Sequence, residues 1–162
     1  MKIALISTDE SPVAMGVKAL SSNLIAHGFQ TAVVIMATWN EDFKNFCWED
    51  LENICRDAGL IGISCMTHGV KKAIEIKNVL KRNLKIPIII GGIHATLLPE
   101  SLIDDFELIC HGEGEDLMME LAKCLSDNRD FYDIPGLWGR CGDTVFRNQC
   151  QPLRRDLNEY PF

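Results

Sequence analysis

Short β-branched runs alternate along this chain with stretches of helical periodicity, which predicts an α/β protein with a doubly wound parallel sheet. Two observations around one stretch carry that prediction. Ile88, Ile89 and Ile90 form a run without polar alternation, the pattern of a strand buried on both faces, and such strands belong to helix-covered parallel sheets. The run stops at Gly91-Gly92, then passes through a loop with His94 and Thr96 to Pro99-Glu100, where proline suits a first helical turn. Open parallel sheets bind ligands beyond the carboxyl ends of their strands, and glycines there let a ligand approach the backbone. A tight strand-to-helix turn with no ligand would also place two glycines there.

In chain order, Lys2 to Ser7 reads as the first strand. Ser11-Pro12 reads as a helix start, with Val13, Val17, Leu20, Leu24 and Ile25 at helical spacing and His27-Gly28 as the stop. Phe29 to Met36 is the second strand, and a looser segment from Ala37 to Phe46 precedes a helix over Trp48 to Ala58. Leu60 to Cys65 is the third strand, and Val70 to Asn83 a helix with Ala73, Ile76 and Leu80 inward. The fourth strand, the Ile88 to Ile90 run, leads to a short helix over Pro99 to Asp104. Phe106 to Cys110 is the fifth strand and Asp116 to Leu125 the last helix. The expected core is a flavodoxin-like or Rossmann-like sheet of five parallel strands over residues 1–128. Over 129–162, Leu137–Arg140 and Thr144–Arg147 around Cys141-Gly142-Asp143 predict a β-hairpin appendage, followed by a polar, linker-like tail.

A length of 162 residues, 47% hydrophobic and 24% charged, fits one compact domain plus an appendage. The net charge of −7 and the lack of a basic cluster disfavour a nucleic-acid partner. No apolar run approaches membrane-spanning length, and the first residues form a strand rather than a signal peptide, so the expectation is a cytoplasmic protein without a membrane partner. Seven cysteines include no C-x-x-C or C-x-x-x-C pair, which gives no zinc knuckle and no local iron–sulfur loop. They read as reduced thiols, several of them small hydrophobes.

The loops at 7–12, 64–69, 91–96 and 111–114 would gather at one sheet edge. They carry Ser7, Thr8, Asp9, Ser11, Ser64, Thr67, His68, His94, Thr96, His111 and Glu113, with small residues between them. That combination suggests a large ligand lying close to main chain. Nucleophile-elbow, phosphate-loop, H-E-x-x-H and dinucleotide fingerprints are absent, so no catalytic residue and no metal ligand is assigned. The acids of Gly112-Glu113-Gly114-Glu115-Asp116 suit a helix start, where the dipole favours negative charge.

The segments I-I-I-G-G-I-H-A-T-L-L-P-E (88–100), I-G-I-S-C-M-T (61–67) and L-I-C-H-G-E-G-E (108–115) resemble the N-terminal cobalamin-binding domain of radical S-adenosylmethionine enzymes. The stretch I-P-G-L-W-G-R…N (134–148) and the closing R-D-L-N-E-Y-P-F (155–162) are similar to that family's hairpin and lead-in to its barrel, so the resemblance covers nearly the whole chain. It implies a corrinoid lying over the carboxyl ends of the strands, with its nucleotide tail entering the sheet. The cofactor-binding residues it implies, together with the loop reading, are Thr8, Ser11, Ser64, Met66, Thr67, His68, Gly91, Gly92, His94, Ala95, Gly112, Glu113 and Gly114.

Two departures from the pattern qualify the resemblance. Cobalamin domains of the methionine-synthase kind carry D-x-H-x-x-G after the first strand, with the histidine on cobalt. Here Asp9, Ser11 and Ala14 stand at that spacing, and serine is a poor cobalt ligand beside imidazole. Binding without a histidine ligand and with the base displaced is therefore implied. The C-x-x-x-C-x-x-C motif that holds a 4Fe-4S cluster and S-adenosylmethionine is also absent, so those cofactors are expected only in a catalytic domain following Phe162 in the parent chain. An alternative is the same fold without cobalamin, serving as an interaction or scaffold domain. A receiver domain is disfavoured by Ser64-Cys65 and Cys110-His111, which stand where an aspartate and a lysine are needed. A flavin domain is disfavoured by the acidic T-D-E-S-P after the first strand.

Overall fold

The computed structural model describes residues 1–9, 14–36, 46–152, 156 and 160–161. Five strands run parallel: β1 (Lys2–Ser7), β2 (Gln30–Ile35), β3 (Ala58–Ser64), β4 (Ile88–Gly91) and β5 (Leu108–Cys110). Two more, β6 (Leu137–Cys141) and β7 (Thr144–Arg147), are antiparallel and complete a seven-stranded sheet in the order β2-β1-β3-β4-β5-β6-β7. The parallel part has the flavodoxin-like order, one of the two doubly wound arrangements expected, and its switch point lies between β1 and β3.

The strand count corrects the expectation of five with a separate hairpin. The hairpin forms as predicted but continues the sheet, pairing Leu108 with Gly139, Ile109 with Trp138 and Cys110 with Leu137. Gly139 permits this, because a Cβ there would collide with Glu107 O and the Phe146 ring. Arg147 adds a two-pronged pair to Glu100 at 2.8 and 3.0 Å, and Arg140 reaches Asp104 at 2.8 Å.

Helices α1 (Met15–Ala26) and α5 (Gly114–Ser126) cover one face of the sheet, and α2 (Trp48–Cys55) and α3 (Val70–Asn83) the other. In α3 the predicted Ala73, Ile76 and Leu80 are buried. In α1, Val17 and Leu24 are buried but Ile25 is exposed, so the inward stripe is narrower than the spacing suggested. The Ser11-Pro12 helix start and Val13 lie outside the described residues, as does most of the looser segment after β2.

His94 and Thr96, expected on a loop, sit on a short helix α4 (Ile93–Leu97). Gly92, at φ 95°, turns the chain so that helix begins at the next residue, and Thr96 N donates to Gly92 O at 3.1 Å. The helix predicted over Pro99 to Asp104 is a 3-10 turn, Pro99–Leu102, with proline in its first turn as expected.

Candidate functional site

The carboxyl ends of β1, β3 and β4 lie level, with Ser7 paired to Ser64 and Ser64 to Gly91. Below this edge, between the sheet and helices α1 and α5, a slot of about 300 Å³ opens. Its floor is one register level, Leu5 beside Gly62 beside Ile89, with Met118 of α5 opposite. Val17 and Leu20 of α1 form a side wall. Asn23, buried in α1, donates to Glu115 O at 2.9 Å and fixes α1 against the first turn of α5.

Three missing side chains keep the slot open. A Cβ on Gly62 would stand 3.1 Å from Leu5 Cδ2 and 3.3 Å from Met118 Cε, and one on Gly114 would stand 3.2 Å from Leu20 Cδ2. A Cβ on Gly91, on the same face as Ile89, would meet Cys110 Cβ at 3.4 Å. Gly92 also lines the slot, yet its bare Cα serves another need. A Cβ there would come within 2.6 Å of Cys65 O and 2.9 Å of Cys65 N, so Gly92 lets α4 start against the end of β3.

Ser64, Gly91, Gly92, Gly112, Glu113 and Gly114 therefore come together around the slot. Thr96 joins the two loops above it: its Oγ1 lies 3.2 Å from Gly92 O and accepts from Gly112 N at 3.3 Å. Thr8 is buried beside the site rather than in the slot, its backbone N and Oγ1 both donating to Ser64 O at 3.0 and 3.2 Å. Met66, Thr67 and His68 are exposed on the turn after β3. Ala95 points into the core on the α2/α3 face. Ser11 lies outside the described residues.

His94 is buried, with Nδ1 3.2 Å from Thr67 Oγ1 and Nε2 3.0 Å from Ser101 Oγ. Ser101 Oγ donates its hydrogen to Leu98 O at 2.7 Å and so accepts from His94 Nε2–H. In the tautomer with its proton on Nε2, Nδ1 accepts from Thr67 Oγ1. Both nitrogens are engaged within the protein. His111 is half-buried, its ring 4.9 Å from that of Trp138 and its Nδ1 3.0 Å from Cys150 Sγ. Burial pushes the thiols of Cys65 and Cys110, near the slot, up to about 11 and about 12, so both stay protonated at neutral pH. All seven cysteines are unpaired, and among the described residues no cluster of metal-ligating side chains occurs.

Ile93, which lines the slot, is 51% exposed, and Met66 on the turn after β3 and Leu97 and Leu98 at the end of α4 are exposed as well. The sequence reading missed the slot's depth: Leu5, Gly62, Ile89 and Met118. Gly62 carried a usable signal, since an isolated glycine inside a strand pattern marks a close approach.

A family model described as the B12 binding domain matches residues 1–122. Tryptophan 2-C-methyltransferase of Streptomyces laurentii is 26% identical over 156 residues, covering 83% of this chain and 25% of that protein. The chain thus spans about a quarter of the curated relative's length. Among solved structures, the radical S-adenosylmethionine methyltransferase TsrM from Kitasatospora setae, with cobalamin and a [4Fe-4S] cluster bound, superposes with a TM-score of 0.80 at 23% identity, covering 99% of this chain and 31% of that one. The cobalamin-dependent S-adenosylmethionine radical enzyme OxsB, with aqua-cobalamin and S-adenosylmethionine bound, gives a TM-score of 0.77 at 19% identity, covering 94% of this chain and 22% of that one. These two likenesses concern the fold. Among the described residues no helix is long and apolar enough to cross a membrane.

Proposed function

From the premise that this chain belongs to the B12-binding domain family, we propose that it is the cobalamin-binding module of a radical S-adenosylmethionine enzyme. The observation that carries this is the slot that Gly62, Gly91 and Gly114 leave open beneath the sheet edge. It suits a narrow, flat group such as a displaced nucleotide base. The exposed apolar side chains Met66, Ile93, Leu97 and Leu98, on the segments that follow β3 and β4, suit contact with a macrocycle. When bound, cobalamin supplies cobalt chemistry such as methyl transfer. This chain's own residues bind and orient it: Ser64 offers a hydroxyl at the mouth, the Thr96 bridge fixes the loops, and apolar walls exclude water from the tail.

Cobalt would be held without a protein histidine and with the lower base displaced. Ser11 stands where a histidine would be needed, and His94 already uses both ring nitrogens on Thr67 and Ser101. Residues 129–162 lead from the 1–128 unit toward a radical S-adenosylmethionine domain that holds the 4Fe-4S cluster and S-adenosylmethionine. That reading is supported by the short share of its relatives that this chain spans and by its lack of the three-cysteine motif.

Titration with hydroxocobalamin, followed by absorbance of the protein fraction, tests the proposal. Stoichiometric uptake is expected. The cob(II)alamin paramagnetic resonance spectrum should lack nitrogen superhyperfine splitting from the protein or the base. No uptake would favour a scaffold role, and a nitrogen-split spectrum would overturn the histidine-free, base-displaced binding.

A further inference from the structure

The deepest level of the slot has a property that the binding reading does not require: it offers a ligand no hydrogen bond. Leu5, Gly62 and Ile89 are side-by-side partners in three adjacent parallel strands, so the amides and carbonyls of the central strand β3 are committed to its two ladders. Met118 closes the level from α5, and Val17 and Leu20 from α1. Polar side chains on the slot, Ser64, Thr96, Glu113 and Glu115, all belong to the strand ends, α4 or the start of α5. The floor lies two residues below Ser64 and Gly91, roughly 6–7 Å at the usual strand rise. A planar base inserted edge-on thus meets polar groups at its entering end and hydrocarbon at its leading end.

We propose that this floor selects the chemical class of the corrinoid's lower base, accepting a benzimidazole with an apolar leading edge and rejecting a purine. The inference rests on the tail occupying the slot, as in the proposed function. The six-membered ring of dimethylbenzimidazole carries two methyl groups. That of adenine carries ring nitrogens and an amino group. Buried against Leu5, Ile89 and Met118, those groups lose water and gain no partner, which weakens binding by roughly 10- to 100-fold. Gly62 sets the depth, since even one methyl group there would stand 3.1 and 3.3 Å from the floor atoms.

The test titrates the 162-residue chain with three corrinoids: cobalamin, the cobamide carrying adenine in place of dimethylbenzimidazole, and cobinamide, which has no nucleotide tail. The expected order is cobalamin tightest, with the adenine cobamide weaker by that roughly 10- to 100-fold factor. Gly62→Ala should weaken both tailed corrinoids and leave cobinamide unchanged, so cobinamide binding also reports that the variant is folded. Met118→Gln, which adds an amide to the floor, should narrow the preference between the two bases. Equal affinity for cobalamin and the adenine cobamide, both tighter than cobinamide, would overturn base selection while leaving the tail in the slot. Cobinamide binding as tightly as cobalamin would overturn the tail seat and the selection together. Failure of all three to bind would overturn the proposed function and this inference with it.

Discussion

The two faces of the sheet are built from the same strands, yet one is solid and the other is open. Toward α2 and α3, strands β3 and β4 present Ile61, Ile63, Ile88 and Ile90, all buried. Toward α1 and α5 the alternate positions are Gly62, Ser64, Ile89 and Gly91. Because successive residues of a strand point to opposite faces, one segment can close a core on one side and hollow a slot on the other. The isoleucine face carries stability, and the glycine face gives up packing to make room.

Substitutions on the two sides should separate these roles. The largest effect is expected at Gly92, which lines the slot but whose bare Cα is needed against the Cys65 backbone. Gly92→Val would force a β-branched residue to φ 95° and drive its Cβ onto the Cys65 backbone, so loss of the cooperative unfolding transition is expected. A soluble Gly92→Val protein with a wild-type transition midpoint would refute this close-approach role. On the solid face, Ile90→Ala should cost about 2–5 kcal/mol in denaturant unfolding and leave corrinoid affinity near wild type for the folded fraction. A large affinity loss with unchanged stability would reverse the assignment of the faces.

His94→Ala removes a ring bonded to Thr67 and Ser101, and a loss of about 1–3 kcal/mol is expected because Thr67 and Ser101 are left to re-pair. The cobalt absorbance spectrum should not change, and a shifted spectrum would place His94 at the metal. On the open face, Gly91→Ala adds a methyl group at ordinary contact distance from Cys110, so stability should hold to within about 1 kcal/mol. Corrinoid affinity should fall about tenfold, a mouth narrowed by one methyl being worth roughly that much. Unchanged affinity would mean the tail does not pass Gly91.

The smallest effect is expected at the rim of the sheet. The Arg147 guanidinium holds the exposed Glu100 carboxylate below its usual range. A depressed folded-state pKa means the pair's contribution is present above the ordinary glutamate range and fades as pH falls through the lower folded value. Glu100→Gln should therefore flatten a shallow acid limb in the pH dependence of unfolding below about pH 4.5, and leave neutral-pH stability almost unchanged. An acid limb identical in the variant would show that the pair contributes nothing.

Much of this protein was determined by local pattern alone. The unalternated Ile88–Ile90 run, the helical spacing of Ala73, Ile76 and Leu80, and the turn at Cys141-Gly142-Asp143 each specify their element, because periodicity reports which side of a segment meets the core. The glycine pair and the H-G-E-G-E loop mark the carboxyl edge of the sheet, where the slot opens, for the same reason, since a parallel strand must end there. What only the tertiary structure decided depends on residues distant in sequence. The hairpin joins β5 because Gly139 clears Glu107. Gly92 proves necessary against Cys65 rather than for the slot, and His94 turns to Thr67 and Ser101. The slot's floor brings together Leu5, Gly62, Ile89 and Met118 from four separate elements. An empty volume is a property of surfaces that face one another, and no single segment carries it.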